Sequence, residues 1–166
     1  LLYGIISFSC SYYGEMLTYL GMTMPMAVFS LIFWLKNPYN GNKSEVKVQI
    51  LKPKEYIVTA VLAITVTTGF YFVLKYFNTA NLIPSTLSVT TSFMAVFLTF
   101  KRSPFYAVWY AANDVILIVL WLLAVAENIS YMSVVVCFVA FFANDIYGFA
   151  NWKNMARRQT TIQKVV

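Results

Sequence analysis

The sequence contains no histidine, only two cysteines and few charged residues, and each shortage removes a class of function. Without histidine the commonest general base and metal ligand is gone. Cys10 and Cys137 lie far apart, each inside an apolar run, so neither redox nor zinc spacing exists. Both read as buried packing thiols, the usual habit of a free cysteine. Charged residues make up 11% of the chain, where a soluble domain devotes about a quarter of its residues to charge. Too little charge is left to clothe a water-facing surface. An intramembrane enzyme fares badly as well, because no nucleophile sits beside a base and no two carboxylates are close within one helix.

What remains is apolar. Hydrophobic residues form 60% of the 166 and aromatics 18%, which makes this an all-α membrane protein. The net charge of +6 does not point to nucleic acid, since the basic residues sit in the gaps between apolar runs. A spanning helix needs about 20 mostly apolar residues. Stretches 15–35, 56–77, 104–125 and 129–152 qualify, and 82–100 joins them despite its serines and threonines, whose hydroxyls find partners on neighbouring helices. Residues 1–12 read as the second half of a further helix. Leu1 begins inside an apolar run with no basic stretch before it, so the expected chain opens partway through a bundle. Under strict alternation, eleven of the twelve basic residues fall on one side, with Lys75 alone facing Glu15 and Glu127 on the other. That places the C-terminus in the cytoplasm. The segment 36–55 reads as a cytoplasmic connector in which "EVKVQIL" alternates like a short interfacial strand.

Sliding the chain by 118 residues lays Tyr13 on Tyr131, Phe29 on Tyr147, Ser30 on Gly148 and Trp34 on Trp152. Both copies read as a helix end, an outside turn, and a helix closing on tryptophan. The two end on the same side, so a linker span must separate them. This gives a 3+1+3 plan of parallel three-helix repeats. Residues 1–35 are the remainder of the first repeat and 56–77 the linker helix. The second repeat is 82–152, followed by a cytoplasmic tail at 153–166.

Two carboxylates fall inside spans, Asp114 and Asp145, each preceded by an asparagine. A carboxylate at the helix centre costs at least about 2.5–3.5 kcal/mol, so each should face a cavity or a partner. Tyr106, Trp109 and Asn113 share one helical stripe, and Asn144, Tyr147 and Gly148 another. Asp114 is offset by about 100° from Asn113 and is expected to serve a helix contact instead of the same cavity. Aromatic faces beside amides suit a flat polar solute, neutral or cationic. The bland alternative is that the amides and carboxylates only tie helices together. Thr90 and Thr91 offer hydroxyls from the adjacent helix, for solute or for packing. Trp34, Trp121 and Trp152 lie near span ends, where interfacial anchors are expected. Pro25 and Pro84 lie in spans and read as hinges, kinks or static features.

The combination of Tyr106-x-x-Trp109-x-x-x-Asn113, "ANDIYGFANW" (143–152), "YYGEM" (12–16) with "MPM" (24–26), and "LSVTTSFMAVFLTFKRS" (87–103) resembles the PnuC-type bacterial vitamin transporters, typified by nicotinamide riboside uptake. The resemblance implies a SWEET-like bundle in the inner membrane and a homotrimer surrounded by lipid. It implies no cofactor, and facilitated diffusion of nicotinamide riboside followed by trapping by a cytoplasmic nucleoside kinase. The family's tryptophan helix is similar to W-x-x-W-x-x-x-N, whereas this chain has Tyr106 first. Another vitamin such as thiamine therefore stays open as the solute, as does a proton-coupled carrier using Asp114 or Asp145. The expected solute ligands are Trp109, Asn113, Asn144, Tyr147, Tyr106 and Thr91.

Overall fold

The computed structural model describes residues 2–9, 12–79 and 81–165, so Cys10 lies outside it. Helix α1 (Leu2–Ser9), α2 (Tyr13–Leu17), a π-helical segment (Thr18–Thr23) and α3 (Met24–Lys36) come first. A hairpin of β1 (Pro38–Tyr39) and β2 (Asn42–Val46) leads to α4 (Pro53–Tyr76), α5 (Leu82–Phe100) and α6 (Tyr106–Val125). A 3-10 turn (Ile129–Tyr131) then opens into α7 (Met132–Val165). Among the described residues, five helical stretches are long and apolar enough to cross a membrane: Tyr13–Lys36, Pro53–Tyr76, Leu82–Phe100, Tyr106–Val125 and Ile129–Thr161. They contain or closely overlap the five full spans expected from hydropathy. The last one runs on, because residues 153–165 contain neither glycine nor proline to stop it, and the expected tail is helical through Val165.

Pro25 enters α3 just after the π-helical segment. Proline cannot donate a helical hydrogen bond, and a widened turn upstream is one way a helix absorbs that loss. Pro84 sits in the first turn of α5, where the missing donor costs nothing and no kink is required. The hairpin turns on Asn40 and Gly41, both with positive φ (48° and 76°), the pairing a tight type I′ turn demands. Strand β2 covers Asn42–Val46, so only Glu45 and Val46 of the alternating stretch are strand and residues 47–51 are irregular.

Helix α5 is the centre of the bundle, packing on α3, α4, α6 and the π-helical segment. Thr90 Oγ1 meets Thr67 Oγ1 at 2.8 Å and so joins α5 to α4. At one end, Lys101 Nζ lies 3.3 Å from Glu55 Oε1 and Arg102 donates to Gln49 at 3.3 Å. Arg158 donates to Glu45 of the hairpin strand at 2.9 Å, and Gln159 Nε2 donates to the same oxygen at 3.0 Å. These contacts bring the connector, the α5–α6 turn and the end of α7 together as one basic end.

The expectations for Trp121 and Cys137 change here. Trp121 is fully buried, not an anchor: its Nε1 donates to Tyr3 Oη at 2.8 Å and its ring packs on Tyr12 and Tyr131. Trp34 and Trp152 are half-buried against each other, ring centroids 5.1 Å apart, and Trp34 Nε1 donates to the Thr99 carbonyl at 2.9 Å. Cys137 is exposed on α7, because a spanning helix presents apolar side chains outward to lipid. Glu15 is only 1% exposed and takes a long hydrogen bond from Ser88 Oγ at 3.4 Å, since α5 covers the first turn of α2.

Candidate functional site

Inside the bundle, a cavity of about 390 Å³ opens between α6 and α7 and is closed from the other side by α1 and the π-helical segment. Helix α6 supplies Tyr106, Tyr110, Asn113 and Asp114, one face at spacings of three and four. Helix α7 supplies Phe138, Phe141, Asn144 and Asp145 on the same rule, and Tyr3 and Tyr19 complete the wall. The volume is within the range of small-molecule sites. At the basic end, Tyr106 meets Trp152 edge to face at 5.1 Å, so an aromatic run of Tyr106, Trp152 and Trp34 continues from the cavity.

Asn113 is the hub. Its Oδ1 accepts from Thr91 Oγ1 at 2.9 Å and Ser92 Oγ at 3.1 Å, both on α5. Its Nδ2 donates to Tyr19 Oη at 2.9 Å. One amide thus ties α5, α6 and the π-helical segment together while bordering the cavity. Thr91 does not line the cavity; its hydroxyl also reaches the Leu87 and Ser88 carbonyls and holds Asn113 from behind.

Asp114 was expected to point away, and it does not. It lines the same cavity as Asn113, because α6 offers the cavity an arc wide enough for two successive residues. Asn113 occupies the α5 edge of that arc and Asp114 the α7 edge. The carboxyl of Asp114 lies within hydrogen-bonding reach of Asp145, so the two intramembrane carboxyls meet across the α6–α7 contact. The two residues stand on different helices, so no spacing within a single helix reveals the pair. Asp114 Oδ2 is buried and accepts no hydrogen bond from the described residues.

Trp109 is half-buried and Tyr147 is 68% exposed; neither lines the cavity. Tyr110 takes the place expected of Trp109. Both satisfy helical spacing between Tyr106 and Asn113, and periodicity alone does not choose between them. Tyr19 had no signal in the sequence, since its approach to Asn113 depends on the π-helical turn. Among the described residues no three metal-ligating side chains cluster.

The fold and this cavity define a multi-pass helical membrane protein with an aromatic-walled cavity, edged by two amides and two carboxyls, open among its spans. Residues 1–154 match the family described as nicotinamide mononucleotide transporter, and the chain belongs to that family of membrane transporters. The nicotinamide riboside transporter PnuC of Neisseria mucosa is 23% identical over 164 residues, an alignment covering 96% of this chain and 62% of that protein. The crystal structure of the vitamin B3 transporter PnuC shares the fold, with a TM-score of 0.79 at 22% identity over 95% of this chain and 69% of that one. The chain thus spans about three fifths of the length of the curated relative, 62%.

Proposed function

We propose that this protein carries nicotinamide riboside into the cell by facilitated diffusion with alternating access. The observation that carries the reading is the chamber itself: amides of Asn113 and Asn144 and rings of Tyr106, Tyr110 and Tyr19 around about 390 Å³, in a chain of this family. A carboxamide matches an asparagine amide donor for acceptor, and a cationic pyridinium ring is attracted to tyrosine faces. The relative from Neisseria mucosa bears the name of a nicotinamide riboside transporter, which favours that solute over others. Tyr106, Asn113 and Asn144 act as ligands, Thr91 as the support of Asn113, and Tyr19 and Tyr110 join them. Trp109 and Tyr147 stand off the chamber in this conformation, and the reading does not rest on them.

The same reading takes the architecture as a SWEET-like 3+1+3 bundle, with α4 as linker. It is supported by two contacts between positions 118 residues apart, Tyr3 with Trp121 and Trp34 with Trp152. Parallel repeats about a pseudo-two-fold axis bring equivalent residues face to face along that axis. The assembly is a homotrimer in the bacterial inner membrane, with the basic end cytoplasmic and a nucleoside kinase trapping the imported riboside.

Calorimetric titration of the purified protein with nicotinamide riboside and with thiamine tests the solute. Binding of thiamine alone overturns the riboside assignment. Uptake into proteoliposomes with and without a proton gradient tests the mode, and accumulation that needs the gradient overturns facilitated diffusion.

A further inference from the structure

We infer that Asp114 and Asp145 form a cation subsite within the chamber, so that the carrier selects a positively charged solute over a neutral one of the same outline. The inference rests on the reading that the chamber is the solute site. Asp114 is only 5% exposed, borders the chamber, and its Oδ2 accepts nothing from the described residues. A buried polar atom left without a partner is rare unless something else supplies one. Asp145 stands within hydrogen-bonding reach of Asp114 from the opposite helix.

Two acidic groups this close repel when both are charged, and a cation beside them relieves that repulsion. Among the described residues no lysine or arginine lines the chamber; the polar neighbours are the tyrosines Tyr3, Tyr19, Tyr106 and Tyr110 and the amides of Asn113 and Asn144. Lys153, the first basic residue beyond Asp145 on α7, sits over the Phe149 ring at 5.6 Å, two turns further along the helix. With the chamber empty a proton shared between the two carboxyls relieves the repulsion, and a cationic solute takes that proton's place when it binds. Tyr106 and Tyr110 border the chamber together with the pair, and ring faces also favour a cation.

The alternative is that the pair only ties α6 to α7. The two differ in what an asparagine does. Asn keeps the size and hydrogen-bonding capacity of Asp and removes its charge. A helix tie survives that change and charge selection does not.

The experiment titrates the full-length wild type, Asp114→Asn and Asp145→Asn with nicotinamide riboside and with its 1,4-dihydro form, whose ring is neutral. Melting temperatures recorded without solute confirm that each protein is folded, and Asp145→Asn stands in if Asp114→Asn is not. The expected result is a wild-type preference for the cation of at least about tenfold, falling close to unity in the variants. A preference unchanged in a folded variant, or no preference in the wild type, overturns the proposal. If the wild type binds neither riboside but binds thiamine, the riboside reading falls and thiamine becomes the cationic probe. Loss of thiamine binding in the folded variants then supports the subsite and its retention overturns it. If the wild type binds none of these cations, both readings fall.

Discussion

Replacing Asn113 with alanine removes one amide on which three segments converge. The lost contacts are those from Thr91 at 2.9 Å, Ser92 at 3.1 Å and to Tyr19 at 2.9 Å. Side-chain hydrogen bonds between spanning helices average about 0.6 kcal/mol each, with a ceiling near 1.7. Three of them amount to about 2 kcal/mol. Thr91 keeps the Leu87 and Ser88 carbonyls, so its hydroxyl is not stranded. The Tyr19 hydroxyl loses its amide donor, which moves the cost towards about 3 kcal/mol. For a chain of this size that corresponds to a fall in melting temperature of roughly 4–12 °C. Thr91→Val removes only one of the three contacts and is expected to cost about 0.6 kcal/mol. The assay is thermal unfolding of the purified variants in detergent without solute, so that loss of binding does not enter. A folded Asn113→Ala melting within about 1 °C of wild type, or a Thr91→Val as damaging as Asn113→Ala, refutes the hub.

Other substitutions probe separate parts of the bundle. Trp121→Phe loses the bond to Tyr3 and leaves a gap in a site with no exposed surface, costing about 2 kcal/mol in the same melt. Gly14→Ala puts a Cβ 2.6 Å from Leu74 Cδ2 and 2.8 Å from Thr79 Cγ2, for a loss of about 1–3 kcal/mol. Gly148→Ala meets nothing within 4 Å and should instead stabilise α7, by up to about 1 kcal/mol. Gln159 and Arg158 both donate to Glu45 and hold its carboxyl below the usual carboxylate range. Its contribution to docking the hairpin on α7 is therefore complete above that range and disappears as pH falls through the lowered value. Protection factors at β2 and residues 153–161, taken relative to the intrinsic exchange rate at each pH, should fall on acidification, and Glu45→Gln should flatten that response.

Long apolar runs made the spans legible, because composition alone decides whether a helix tolerates lipid. The Pro, Gly and Asn residues of 36–55 marked a connector, but the hairpin that Asn40 and Gly41 close with positive φ depends on strand pairing around them. Other features depended on partners distant in sequence. Trp121 looked like an interfacial anchor by position, and only the arrival of Tyr3, Tyr12 and Tyr131 makes it core. The burial of Glu15 near a span end likewise depends on α5, which covers it from a distant part of the chain. On α6, periodicity gave the relative angles of Trp109, Tyr110, Asn113 and Asp114 correctly but not which arc faced inward. That depends on where α7 lies, and it moved the chamber wall from Trp109 to Tyr110 and brought Asp114 into it.

Helix α5 is the least apolar of the five spans and the most enclosed by protein. Its Ser88 turns to Glu15 on α2, which leaves the ribosome earlier, while its Thr91 and Ser92 turn to Asn113 on α6, which leaves later. During synthesis the helix therefore enters the bilayer with half of its polar seam matched. Until α6 follows, Thr91 rests on the carbonyls of its own helix, and the α5 face that carries it and Ser92 lacks the amide on which it will later pack.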